Sequence, residues 1–276
     1  FNNLLIKDGF FKYENFDDFK TLKTNSNFND NLNIKNLKLD DFKISFMDYT
    51  GIVDFEIADL SLIDNKISLK IKDSELDLKE NQNFKKINAN VNIHNNNIKL
   101  NDLSIALGNS FLEGNLFVKN FNDLELLKFD GDITNKSKIT SSDFIEGSAE
   151  NSFNFNVKFE GDFNQIFLNE FELKNDNTNI LAALQIKNPF DKSKYDLTVD
   201  FTEFSSVSTE ISNTFPEIFG SYIPSSLKSI GKFKLIGSFI YSNEKIVSDF
   251  ELYNNKGNIY SSLIISEFEN IDNARY

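Results

Sequence analysis

The stretch 97–121, NIKLNDLSIALGNSFLEGNLFVKNF, constrains the fold more than any other part of the chain. Ile98 and Leu100 alternate with polar neighbours, and after Asn101-Asp102 the alternation resumes in a new phase at Leu103, Ile105 and Leu107. Gly108-Asn109 marks a turn, beyond which Leu112, Gly114, Leu116 and Val118 form one face of a second strand. Successive side chains of a strand point to opposite faces, so this stretch predicts a hairpin with one apolar face and one wet face. Gly-Asn between two such runs is a hairpin signal, with Ser110 available to lengthen the loop.

The same unit recurs along the chain. Leu32 and Ile34, Leu37 and Leu39, then Phe42, Ile44 and Phe46 alternate, with a phase shift at Asp40-Asp41 like the one at Asn101-Asp102. Val53 to Ile57, Leu60 and Leu62, Ile67 to Ile71, Leu76 and Leu78, and Ile87 to Ile93 follow, punctuated by turn signals at 48–51, Asp64-Asn65 and His94-Asn95-Asn96-Asn97. Further runs are Leu127 to Ile133, Phe153 to Phe163, Ile180 to Ile186, Tyr195 to Phe201, Phe233 to Phe239, Phe250 with Leu252, and Ile259 to Ile265. Turns at roughly 8–12-residue intervals are the mark of all-β architectures. Segments 134–152 and 164–178 read as polar connections or weaker strands, and 1–31 as a strand, a turn and a loop with aromatic anchors.

One stretch breaks the pattern. In 205–231, Val207, Ile211, Phe215, Ile218 and Tyr222 fall near helical spacing, and Pro216 and Pro224 suit helix starts better than strand interiors. A short helical insertion near 207–224 is expected, with Ser208 or Thr214 as its N-cap. It either protects one end of the sheet or caps the apolar face.

Composition narrows the function classes. A balance of 29 Lys and Arg against 42 Asp and Glu, net −13, opposes binding to nucleic acid or anionic membrane surfaces. With no Cys and one His, His94, disulfides, thiolate metal sites and His-based catalytic arrangements are unavailable. No run reaches the ~18 apolar residues of a membrane span, and no signal peptide is evident. The chain opens on Phe1 and is read as an internal fragment of a longer protein. The 30 Phe carry little weight by number, because Phe, Asn, Lys and Ile are all favoured by AT-rich coding.

Strands with a single apolar face are compatible with a sandwich, whose faces pack together, or with hairpins added along one axis. The recurrent unit, the three prolines and the absence of a Trp or Cys anchor favour the second. The expected fold class is all-β: an elongated, twisted, one-sided antiparallel sheet. Residues 1–31 form a poorly defined strand and loop, 32–204 a repetitive β-sheet groove, 205–231 a helical cap, and 232–276 a continuation of the sheet, with no evident domain boundary.

Three stretches carry a family resemblance. LNIKNLKLDDFKISFMDYTGIVDFEIADLSL (32–62) looks like a repeated strand, Asp/Asn turn, strand, aromatic-Asp unit; NNNIKLNDLSIALGNSFLEGNLFV (95–118) is similar to a spaced-glycine hairpin; and FPEIFGSYIPSSLKSIGKFKLIGSF (215–239) resembles a Pro-containing helix followed by a strand. Together they resemble the TamB/AsmA-like group of bacterial envelope proteins, especially TamB-type (translocation and assembly module) chains of Bacteroidota. The resemblance spans most of 32–276 and brings no catalytic motif. It implies a β-taco with an apolar groove, in a periplasmic segment of an inner-membrane-anchored protein. It also implies lipid transport in outer membrane biogenesis, or outer-membrane protein assembly with an Omp85-type partner.

The residues expected to line such a groove are Leu103, Ile105, Leu107, Leu112, Leu116, Val118, Phe155, Val157, Phe159, Leu184, Ile186, Val199, Phe201, Leu235 and Phe239, with Ile211, Phe215, Ile218 and Tyr222 on the cap helix. Phospholipid acyl chains are the expected partner, with membrane contact left to parts of the parent chain outside this segment. The competing readings are a structural or adhesive β-solenoid with a dry core, and an enzyme using Asp130 and Asp132 around Gly131 as paired carboxylates. Acidic residues are common here, and this pair lies opposite Phe129 and Ile133 as a solvated face would, so no enzymatic activity, cofactor or metal is expected. A Ca²⁺ site at Asp130/Asp132 or Asp40/Asp41 lacks a spaced ligand loop, and His94 falls in an exposed turn.

Overall fold

The structure, a computed structural model, describes residues 3–7, 10–13, 32–46, 49–63, 66–78, 82–123, 125–135, 139–140, 152–189, 191, 194–209, 230–242 and 245–266. The chain divides into two compact units, Phe1–Lys136 and Ser137–Tyr276. The division falls inside the 32–204 stretch that reads as one repetitive sheet. From β3 to β9 in the first unit and from β10 to β17 in the second, each strand pairs antiparallel with the next in sequence.

The first unit contains β1 (Asn3–Lys7), β2 (Phe10–Tyr13), β3 (Leu32–Phe46), β4 (Tyr49–Ile63), β5 (Lys66–Leu78), β6 (Gln82–His94), β7 (Asn97–Leu107), β8 (Ser110–Lys119) and β9 (Lys128–Asn135). β3 to β9 form an antiparallel meander. β1 and β2 lie parallel to β3, one after the other along its edge, with Asn3 opposite Asn36 and Phe10 opposite Lys43. The second unit contains β10 (Ile139–Thr140), β11 (Ser152–Gly161), β12 (Gln165–Lys174), β13 (Asn179–Lys187), β14 (Asp196–Val207), β15 (Lys232–Ser242), β16 (Lys245–Asn254) and β17 (Gly257–Ser266). These also pair consecutively. The all-β, open and one-sided sheet expected from the alternation is the fold class observed.

Local chemistry sets the turns. Asn95 and Asn96 both hold positive φ, 48° and 62°, as a two-residue turn of the mirror-image type requires, and His94 pairs with Asn97 across it. Gly108, at φ 57°, does the same for the next hairpin. Leu107 pairs directly with Ser110, so Ser110 is the first residue of β8, fully buried, rather than part of a longer loop. Tyr49 likewise pairs with Phe46, which places Tyr49, Thr50 and Gly51 in β4 instead of in a turn.

The phase shifts are β-bulges. Asp40-Asp41 on β3 opposes the single residue Asp54, Lys72-Asp73 on β5 opposes Asn88, and Asn101-Asp102 on β7 opposes Asn115. The second residue of each bulge is an Asp in the left-handed region, at φ 52°, 41° and 53°. Asp tolerates that region better than most residues, and the extra residue turns the following side chains back onto the apolar face.

Bulges also settle one open reading and explain one departure. Segment 164–178 contains the full strand β12: Asn169-Glu170 oppose the single residue Ala183, so Ile166 and Leu168 share a face with Phe171 and Leu173 despite the broken alternation. Thr202-Glu203 similarly carry β14 on through Phe204 to Val207, so Val207 ends a strand rather than opening the helical stripe. Ser208 and Thr209 have helical backbone. The rest of the expected insertion, with Ile211, Phe215, Ile218 and Tyr222, lies outside the described residues.

Candidate functional site

Strand register turns the alternation into lateral rows. In the first unit, Leu32, Leu62, Ile67, Ile93, Ile98, Val118 and Phe129 stand opposite one another in turn from β3 to β9. The row beside it on the other face is Asn33, Ser61, Ser68, Asn92, Lys99, Phe117 and Asp130. Apolar side chains line one face and mostly polar ones the other. Where the wet face carries Phe111 and Phe117, the ammonium groups of Lys86 and Lys119 lie over their rings, 5.5 and 5.0 Å from the centroids.

The second unit repeats this order. Phe155, Leu173, Ile180, Phe204, Leu235, Leu252 and Ile259 form one row from β11 to β17. Phe159, Leu168, Leu184, Val199, Phe239, Ser248 and Leu263 form another, and Val157, Phe171, Ala182, Phe201, Gly237 and Phe250 lie between them. Aromatic contacts tie neighbouring strands on this face: Phe155 meets Phe171 edge-on at 5.8 Å, and Phe204 meets Phe233 at 5.6 Å.

All the sequence-predicted groove residues fall on these apolar faces. In the first unit Leu103 opposes Gly114, Ile105 opposes Leu112, Leu107 opposes Ser110, and Leu116 and Val118 oppose Leu100 and Ile98. In the second, Leu184 opposes Val199, Ile186 opposes Leu197, Ala182 opposes Phe201, and Phe204 opposes Leu235. Leu107, Val157 and Val199 are buried, at 8%, 5% and 8% exposure. Leu103, Ile105, Leu112, Leu116, Val118, Phe155, Phe159, Leu184, Ile186, Phe201, Leu235 and Phe239 are only half-buried. Leu168, Phe171 and Leu173 belong to the same face and were hidden by the β12 bulge.

The acidic candidates are engaged elsewhere. Asp130 faces Lys119 at 3.5 Å, and Asp132 accepts from Asn115 Nδ2 at 3.2 Å, both on the wet face. Asp40 accepts from Lys7 Nζ at 2.8 Å, which holds its carboxyl below the usual carboxylate range. His94 is exposed beside its turn. Among the described residues no three His, Cys, Asp or Glu side chains come together as metal ligands would.

Among the described residues, the carboxylate shifted furthest sits in a hydrogen-bonded network between strands. Glu203, at the β14 bulge, accepts from Asn179 Nδ2 at 3.0 Å, Ser205 Oγ at 2.9 Å and Lys234 Nζ at 3.0 Å. These donors favour the ionised form and lower its pKa to about 2. Nearby, Thr178, Ser206 and Ser208 are buried, with Thr178 Oγ1 and Ser206 Oγ 2.8 Å apart. Ser208 donates its N–H to Gly231 O at 2.9 Å and accepts from Gly231 N at 3.2 Å. This pair of hydrogen bonds clamps together the two ends of the connection between β14 and β15.

No family model, curated protein or solved structure matches the chain. Among the described residues no helix is long and apolar enough to cross a membrane.

Proposed function

We propose that the apolar faces are non-enzymatic carrier surfaces for phospholipid acyl chains, in a segment of a TamB/AsmA-like cell-envelope bridge protein. The observation that carries this reading is the continuity of the rows: apolar side chains follow one another across seven strands in each unit, most of them only half-buried. Burying a chain of about 16 carbons recovers roughly 0.8 kcal/mol per CH₂, on the order of 12 kcal/mol, so moving one through water is slow. A strip of similar, shallow contacts removes most of that cost, and holds cargo weakly enough to release it. Repeated Ile, Leu and Phe in half-buried rows suit that task better than a single tight site would.

The cellular setting rests on the sequence resemblance: a periplasmic position, an inner-membrane anchor elsewhere in the parent chain, and an Omp85-type partner if the cargo is outer-membrane protein. The competing reading, a structural solenoid with a dry core, is favoured by the burial of Leu107, Val157 and Val199. One experiment separates them. The 276-residue chain is purified without detergent and its lipids are identified by mass spectrometry. Co-purifying phospholipid, lost in a folded Leu116→Glu variant, supports the carrier; a folded, lipid-free protein overturns it in favour of the solenoid.

A further inference from the structure

Charge is unevenly spread over the first unit. At one end of its strands the pairs that close the turns are Ile63 with Lys66, His94 with Asn97, and Lys119 with Lys128. The next row on the same wet face runs from Asn33 through Lys99 to Asp130. These two rows hold four Lys and the single His against one acid, Asp130, which faces Lys119 at 3.5 Å. Over the rest of β3 to β9, eleven Asp and Glu outnumber seven Lys. A chain of net charge −13 thus carries a positive rim. Among the described residues, Lys66, Lys99 and Lys128 are exposed and make no ion pair. They lie on alternate strands, β5, β7 and β9, about 10 Å apart. The turn from β8 to β9 adds Asp123, whose Oδ1 accepts the N–H of Glu125 at 3.1 Å, and Leu126, which is 59% exposed.

The apolar face is most accessible at this same end. The row between the two polar ones, from Leu32 to Phe129, is half-buried throughout, whereas toward the other end of the strands Val53, Ser74, Leu107 and Ser110 are buried. An amphiphile with its tail on the apolar rows places its headgroup where exposure and counter-charge coincide. Lysine suits that boundary: its methylenes lie along apolar surface while the ammonium stays in water. The ammonium meets a phosphate through charge-assisted hydrogen bonds, and the rim therefore matches an anionic headgroup rather than a neutral one. We propose that the rim of Lys66, Lys99 and Lys128 holds the phosphates of phospholipids whose acyl chains lie on the first unit's apolar face, which rests on the carrier reading above. Cargo is thereby oriented, with headgroups at the 63–66 and 94–97 turns and tails directed toward Leu107.

The test loads the 276-residue chain with phosphatidylglycerol, or with diacylglycerol of the same acyl chains, and measures bound lipid by mass spectrometry. The wild type is expected to hold phosphatidylglycerol about tenfold more tightly, the worth of one charge-assisted hydrogen bond. Lys66→Gln, Lys99→Gln and Lys128→Gln together are expected to remove that preference, with diacylglycerol retention and the far-UV spectrum unchanged. Lys43→Gln, Lys72→Gln and Lys85→Gln together change net charge equally at exposed positions outside the rim, and are expected to keep it. Equal retention of both lipids by the wild type overturns the rim and leaves the carrier standing. So does a preference that survives the rim variant, or one that falls equally in the second variant. Inorganic phosphate bound as tightly in the absence of lipid assigns the rim to a soluble anion and likewise overturns it. A folded wild type that holds neither lipid overturns the carrier and the rim together.

Discussion

The backbone N–H of Asp41 donates to Oδ1 of Asp54, 2.7 Å away on the neighbouring strand. Asp73 and Asn88 repeat the relationship at 3.1 Å, and Asp102 and Asn115 at 3.3 Å. In each case the donor is the left-handed residue of a bulge, and the acceptor is the one residue facing that bulge. A bulge takes one N–H out of the ladder, and the facing Asx side chain supplies the missing acceptor.

A left-handed backbone should make Asp102 selective for residue shape. Asp102→Asn is expected to leave stability within about 0.5 kcal/mol, whereas Asp102→Val should lose about 1–2 kcal/mol, because a β-branched side chain crowds the carbonyl in that region. Urea unfolding midpoints with unchanged slopes would measure the difference. Equal midpoints would show that the bulge does not depend on a left-handed residue.

Gly114 should be intolerant of even one methyl group. A Cβ there would lie 2.0 Å from the carbonyl oxygen of Asp132, a backbone atom of the neighbouring strand. Gly114→Ala is expected to cost about 3 kcal/mol, the upper end for overpacking. Thermal unfolding of the variant beside the wild type measures it, and an unchanged midpoint would mean that β8 and β9 separate freely.

Glu203 should give the fold part of its acid sensitivity. Its pKa is lowered from 4.5 to about 2, so its contribution is fully present above pH 4.5 and is lost as pH falls from there toward 2. With the side chain 27% exposed, solvent screening limits that contribution to about 1 kcal/mol. Glu203→Gln is expected to lose this amount at pH 7 and to flatten the stability profile across that window. An identical profile would remove the network from the acid limb.

Lipid retention should distinguish the two faces of the first unit. Leu116→Glu places a carboxylate on the half-buried apolar face and is expected to abolish phospholipid co-purification while far-UV dichroism stays native. Glu113→Lys changes charge off the apolar row and should retain lipid. Val157 is 5% exposed, so Val157→Asp is expected to destabilise the fold as well, and its lipid content is informative only where folding is confirmed. Equal retention in Leu116→Glu and Glu113→Lys would count against a lipid-lined face.

Much of the architecture was legible because it is local. Alternation assigns each side chain to a face, and Asn95-Asn96 and Gly108 announce their turns through the positive φ they tolerate. The residues of the apolar face were legible for the same reason: Leu103, Ile105 and Leu107 alternate within one strand. β12 stayed open between a polar connection and a weaker strand because QIFLNEFELK loses its period at Asn169-Glu170, and nothing within the strand tells a bulge from a loop. Val207 was misplaced because the bulge at Thr202-Glu203 hides the continuation of β14.

The sequence by itself determined the fold class, the two unlike faces and the sites of the phase shifts, since these follow from the order of side chains along one strand. Only the tertiary structure decided which residues stand opposite one another. The parallel docking of β1 and β2 on β3, and the row from Leu32 to Phe129, depend on hydrogen bonds between segments far apart in the chain. The division near 136 belongs to the same class of fact. A strand's own pattern states which side of it is apolar; its neighbours are chosen by the free energy of the assembled sheet.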